Sequence, residues 1–514
     1  MNQSKQRGAA LILTMILLAV LSVMTVSMMF LSQSETWSTA NYRLMSQARD
    51  AAEAGVNKTA HFILYSYNPP QTPAQVALFD RTVYPVTSGN APVVLSADPD
   101  VAPNYPIVAD QTAFDTAGTG AKGTLTAGTQ PMTYESTARM LTMNMVTNSV
   151  LGDKPALRWE LTSGGKITGI QGAEVEISAI IDQPMSPLFG YAVFATYDSS
   201  NCSTAALDFG SGATTGSYDS SAVVPGVPPV ILQTDGDVGT NGTLGTSGGN
   251  TTIYGSLSTP RTGVGTNKVC DSSDNPLAWQ QSSGTVTEGV IKLPQALDYP
   301  TPPAPVPLPP TGNLNLNNNC GSLSPLSCNY VNPNFTLQPT CAASGIPPAA
   351  SPTCPVGSTN LYPDITVNAG KKIHLGPGTY NFNSLKLGAG AELVVDGGPI
   401  VINIAGTGLQ QSAPALDLGS GIVTNVSLNS SNLTFMYAGK NEVKLSGGAA
   451  TASVVYAPNA DIKFSGGGTF YGSIVGRTVT VTSSNLAINY DNKLKKKFYF
   501  PGQYMMQAFT WKKF

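Results

Sequence analysis

Charge is scarce in this 514-residue chain: Asp, Glu, Lys and Arg together make up 11% of it, and the net charge is −3. A nucleic-acid surface needs clustered Lys and Arg, so no nucleic-acid partner is expected. Histidine is scarcer still, with only His61 and His374. Neither stands in a motif with a nucleophile or a second metal ligand, which argues against a Ser-His-Asp site or a metal–histidine site. No Cys-x-x-Cys pair occurs. No P-loop or Gly-x-Ser-x-Gly elbow appears in the context it needs. Acids stand alone in turns, as at Asp396, Asp417 and Asp461. A glycan-cleaving β-helix uses paired carboxylates, and no two acids plus a base group on one strand face. The one oxygen-rich turn is Asp235, Asp237 and Asn241, a candidate Ca²⁺ site whose spacing departs from the EF-hand loop. Asp271 and Asp274 repeat the hint more weakly. The chain therefore reads as no enzyme and as carrying no cofactor, with Ca²⁺ the one candidate ion.

Proline and glycine number 38 and 52 overall, yet both are missing between Ala9 and Ala54. Residues 9–34 also carry no charge. This run exceeds the roughly 20 apolar residues that cross a bilayer, and the 7–15 of a secretory signal. Lys5 and Arg7 precede it, which places the N-terminus on the cytoplasmic side and everything beyond across the membrane. Past Glu35 a helical pattern continues through Trp37, Tyr42, Met45, Ala48, Ala52, Val56 and Ala60. One helix over about 9–65 is expected, on the order of 85 Å long, half in lipid and half outside. The hydroxyls of Thr14, Ser22, Thr25 and Ser27 either bond back to their own helix or meet partner helices.

The stretch Gln6-Arg7-Gly8-Ala9-Ala10-Leu11-Ile12-Leu13, with Ala51-Ala52-Glu53-Ala54, resembles the N-terminus of PilX-type minor pilins and related type IV pilin-like proteins. The resemblance covers about the first 65 residues. It implies cleavage by a prepilin peptidase between Gly8 and Ala9, with Ala9 a candidate for N-methylation. Most major pilins have Glu five residues into the mature chain, where this one has Leu13. That departure matches minor, tip-capping members. The implied partners are other pilins and minor pilins, the pilus assembly platform, the prepilin peptidase and, before assembly, the inner membrane. The implied location is the inner membrane, single-pass with the C-terminus outside the cytoplasm, then the pilus or cell surface.

All six cysteines, Cys202, Cys270, Cys320, Cys328, Cys341 and Cys354, lie beyond the membrane run, and an even count in an exported chain favours disulfides. The last four fall in one Pro-, Asn- and Ser-rich loop and are expected to staple it locally. Cys202 and Cys270 would then pair.

Asn68-Pro69-Pro70 ends the helix in an extended turn. Strands are expected at 157–162 and 173–181, joined through a turn at Ser163-Gly164-Gly165-Lys166. From 190 onward, short apolar pairs alternate with Gly, Asn, Asp and Ser corners: Ile365/Val367, Ile373/Leu375, Leu385/Leu387 and Leu393/Val395 are examples. No room remains for crossover helices, which favours stacked solenoid rungs over an antiparallel sandwich. Residues 466–489 also resemble a β-helical region found after pilin-like N-termini in large bacterial proteins. The Pro-rich 300–310 reads as an extended connector or a ligand for a proline-binding partner. The basic, aromatic end reads as a cap over the last rung or a partner-pairing tail.

The expected fold is mostly β, with a long N-terminal α-helix, a small α+β head and a large C-terminal right-handed parallel β-helix. The expected divisions are a leader at 1–8, the helix at 9–67, head strands at 71–185, a β-helix at 190–490 with a Pro/Cys-rich insertion at 298–360, and a tail at 491–514. The expected function is a minor, tip-located type IV pilus subunit for assembly and adhesion. The alternatives are a surface-anchored polysaccharide-acting enzyme and an anchored β-helical surface protein unrelated to pili.

Overall fold

The structure is a computed structural model. It describes all residues except 1–5, 71, 128–129, 147–151, 168–171, 199–204, 225–226, 247–248, 266–276, 282, 326, 341–359, 483, 503 and 514. The chain forms two compact units. One holds the helix and a head sheet, up to Met185 and again from Pro501; the other is essentially Ser186–Phe500.

The helix runs Gln6–Tyr65, about 90 Å at 1.5 Å per residue. Its outer half packs on a mostly antiparallel sheet in the order Val94–Ser96, Gln130–Val146, Lys154–Ile167, Ala173–Asp182 and Met505–Lys513. Lys122–Ala127 pairs with Gln130–Val146 at the side. Lys154–Ile167 alternates inward and outward, burying Leu157, Trp159 and Leu161. Two expectations fail here. Ser163-Gly164-Gly165-Lys166 is no turn: it lies inside Lys154–Ile167 and pairs with strands on both sides. A Cβ on Gly165 would collide with the backbone of Ala48 and Ala52, so the glycine serves the close approach of the helix. The second is the C-terminal tail, which divides: Leu494 and Phe498 are buried in the core of the second unit, but Met505–Lys513 pairs antiparallel with Ala173–Asp182 in the head sheet.

In the second unit most strands are short, Gly378–Leu387, Ala452–Phe464 and Gly468–Val481 being the long ones, and apart from the Cys328–Val331 and Asn334–Leu337 hairpin they stack in parallel. An antiparallel sandwich therefore does not fit. Partners lie a turn of chain away, as in Val193–Ala195 with Val238–Thr240 and that strand with Leu257–Thr259; near the end of the unit each strand is long enough to fill a turn, and Ala452–Phe464 pairs directly with Gly468–Val481. Inward residues align into buried columns. One column steps in register from Leu314 through Ile365, Leu385, Leu416, Val443, Ile462 and Val479, then through Leu207 and Leu244 to Trp279. All of these are buried.

Stack order is therefore not chain order. The chain begins the stack in its middle at Val193, coils to one end at Val290–Lys292, crosses to the far end at Asn313, and coils back until Val479 meets Leu207. At ~4.8 Å per step the column is about 43 Å tall. The Pro-rich crossing of 293–312, at ~3.1 Å per extended residue, reaches roughly 60 Å. It runs as a strap along the outside. Asn241 holds the Leu297 backbone at 2.8 Å, Tyr456 Oη donates to Pro300 O at 2.5 Å, and Asn381 Nδ2 donates to Pro307 O at 3.2 Å. The expected insertion at 298–360 thus divides: Asn313–Leu316 and Asn334–Leu337 are rung strands, paired with the rungs at Asp364–Val367 and Lys372–Leu375. The Cys320–Cys328 disulfide closes the loop between them. Cys202, Cys270, Cys341 and Cys354 lie outside the described residues.

Candidate assembly surface

The helix changes character at its middle. Residues 10–39 are exposed throughout, including Leu13 at 68% and Phe30 at 67%. The most apolar 18-residue window has a mean hydropathy of 2.5 and none of it is buried. Such a surface is stable only in lipid or against other apolar helices. Its hydroxyls give it no polar face. Thr14 donates to Leu11 O, Ser22 to Ala19 O, Thr25 to Leu21 O and Ser27 to Val23 O, at 2.7–2.9 Å. Of the two readings, bonding back to the same helix is the one observed.

The outer half is attached to the head through small residues. Ala48, Ala51 and Ala52 are fully buried. A Cβ on Gly55 would strike the hydroxyls of Ser136 and Ser163, which bond to each other at 2.8 Å. Farther on, Phe62 meets Phe114 edge to face and Tyr67 does the same with Trp159. The small-residue face fixes where the rod leaves the head. Sequence reading missed its counterpart on the sheet, because Gly164-Gly165 carries a turn signature. Gly8 and Ala9 stand in the first turn of the described helix.

The remaining candidates are occupied by the fold. Asp235 accepts from Lys495 Nζ at 3.2 Å, and Asp237 lies 4.0 Å from the same amine. Asp237 also accepts from the Ser256 amide and hydroxyl, both at 2.8 Å. Asn241 is not brought to them: its amide grips Thr196 and Leu297. Asp271 and Asp274 lie outside the described residues. His61 lies against Tyr65, the two rings tilted by 49° with centroids 4.7 Å apart. His374 has partners that sequence spacing did not reveal, with Nδ1 2.9 Å from Asp396 and Nε2 3.3 Å from Asn334. These residues sit on adjacent rungs, so parallel register is what assembles them. Beside them Glu392 receives Lys372 Nζ and the Thr424 hydroxyl, both at 2.6 Å. Those bonds hold its carboxyl below the ordinary range. Asp461 likewise takes Arg477 and the Thr478 hydroxyl at 2.6 Å. No group of three His, Cys, Asp or Glu side chains gathers among the described residues.

Comparison with known proteins returns two family matches. Residues 7–57 match the PilX N-terminal family, and residues 356–497 match a domain family of unknown function, DUF7305. The second match covers the rungs from Leu361–Val367 onward and stops in the helical turn Asn492–Lys496 and its cap. No curated protein matches. Among solved structures, the crystal structure of the competence-associated pilin ComZ from Thermus thermophilus matches at 13% identity. The match covers 91% of this chain and 98% of that one, with a TM-score of 0.24.

Proposed function

We propose, from the premise that residues 7–57 are a PilX-type N-terminus, that this chain is a minor subunit of a type IV pilus. The observation that carries the reading is the rod: about half of the helix is apolar, uncharged and bare, while the other half is fastened to a folded head. A surface of that kind moves from lipid into a bundle of like helices at little cost, since both surroundings are equally dry. Cleavage between Gly8 and Ala9 by a prepilin peptidase would remove the Lys5 and Arg7 leader and free the rod to leave the bilayer. Other pilins and the assembly platform are then its partners, and its location passes from the inner membrane to the filament.

The tip is the position we assign within the filament. A head that carries a second unit of over 300 residues would crowd a tightly wound shaft. In this reading the second unit is a right-handed parallel β-helix, exposed for adhesion to surfaces or for priming assembly. Immunogold labelling of native filaments tests it. Gold at filament ends is expected. Labelling along the whole shaft refutes the tip position, and recovery of the chain only in membranes of normally piliated cells refutes the subunit reading.

A further inference from the structure

Asp182 and Met505 are neighbours in the head sheet, although about 320 residues of chain lie between them. The pairing continues to Val175 and Lys513. Side chains join across it: Gln507 Nε2 donates to Asp182 Oδ2 at 3.1 Å, and the hydroxyls of Ser178 and Thr510 meet at 3.1 Å. Tyr504, just before the strand, packs against the core that holds Trp159. The head sheet is thus incomplete until Met505–Lys513 arrives.

How they arrive depends on the intervening unit. Within it, Leu188 N donates to Phe498 O at 2.8 Å, two residues in from either end, so its two ends lie together. Within the head, Gly502 N donates to Pro184 O at 2.7 Å. Those ends meet because Ile474–Gly476 pairs with Val193–Ala195 and Val479–Val481 with Leu207–Phe209, the registers that join the two arms of the stack.

We infer that completion of the coiled unit is what closes the head. The terminal strand reaches the Ala173–Asp182 edge efficiently only when the coil has brought its own ends together. An unfinished coil leaves that edge open. With the coil unfolded, closure spans about 320 residues; with it folded, the effective loop is about 13. The 3/2-power dependence of loop closure makes the local concentration of the terminal strand differ roughly 100-fold. An open edge is also a template for non-native pairing, so a defective coil marks the subunit as unfit through its head. The inference concerns folding and holds whether or not the chain enters a filament.

Hydrogen exchange on the full chain in detergent micelles tests it, read at the amides of Ala173–Asp182. The double variant Leu207→Asp, Val479→Asp sets two like charges against each other in the buried column and opens the coil, which the amides of Leu244–Thr246 report. Protection of Ala173–Asp182 is expected to fall by on the order of 100-fold in that variant. In a second variant, with 186–500 replaced by a short glycine linker, protection is expected to return to its native level. The inference is overturned if the head strand keeps its protection while the coil amides exchange freely. It is equally overturned if the linker variant leaves that strand unprotected.

Discussion

In the head, Lys154–Ile167 buries every second residue from Leu157 onward and pairs antiparallel on both sides. In the coiled unit, Val193–Ala195 is three residues long, buried throughout, and pairs in parallel with one strand from each arm of the stack, Val238–Thr240 and Ile474–Gly476. The head is held by one cooperative sheet against one helix. The coil is a one-dimensional stack in which each rung touches only the rungs above and below. The same kind of damage should therefore spread through the whole head but stay near its rung in the coil, except at the junction of the two arms where Leu207 meets Val479.

Ile462→Asp should have the largest effect. It buries an unpaired charge between Val443 and Val479 and should cost about 5 kcal/mol or more. Hydrogen exchange should locate the loss in the adjoining rungs, with Ile373 and Leu393 protected as before; uniform loss would break the contrast with the head. Next is Gly165→Leu, whose side chain would force the helix off the sheet, costing the head about 3 kcal/mol. Chemical denaturation checks it, followed by fluorescence in a background carrying Trp37→Phe, Trp279→Phe and Trp511→Phe, so that Trp159 alone reports. Reduction of Cys320–Cys328 frees a short loop at one end of the stack and should cost about 2.5 kcal/mol, read as a lower melting temperature with reductant.

Those predictions turn on features of unequal visibility in the sequence. The helix is legible because 3.6-residue periodicity and missing Pro and Gly are local signals. The short strands are legible for the same reason: Ile373/Leu375 and Leu393/Val395, which carry their own punctuation, lie in Lys372–Leu375 and Glu392–Val395. Pairings between distant residues leave no such mark. Nothing near Val479 points to Leu207, and nothing near Trp511 points to Ile177, so the permuted stack and the returning strand were not readable. Gly165 misled because a glycine needed for close approach looks like one needed for a turn. His374 and Asp396 met only through rung register.

Smaller effects sharpen the account of the strap and of the stack surface. Tyr456→Phe removes the bond to Pro300 O and should cost about 1 kcal/mol, seen as faster exchange of strap amides with the rungs unchanged. Glu392→Gln should cost less than about 1 kcal/mol near neutral pH. Folding lowers this carboxyl below its ordinary 4.5, so its contribution is present above that value and fades as pH falls through the lower folded one. The variant should show a shallower loss of melting temperature on acidification below about pH 4.5.

The central claim is that the bare half of the helix is a rod made to leave the membrane. Intact-mass analysis of the chain from sheared filaments tests it most directly. A mature N-terminus at Ala9, with or without one added methyl group, is the predicted result. A chain that still begins at Met1 in cells bearing normal filaments would contradict it.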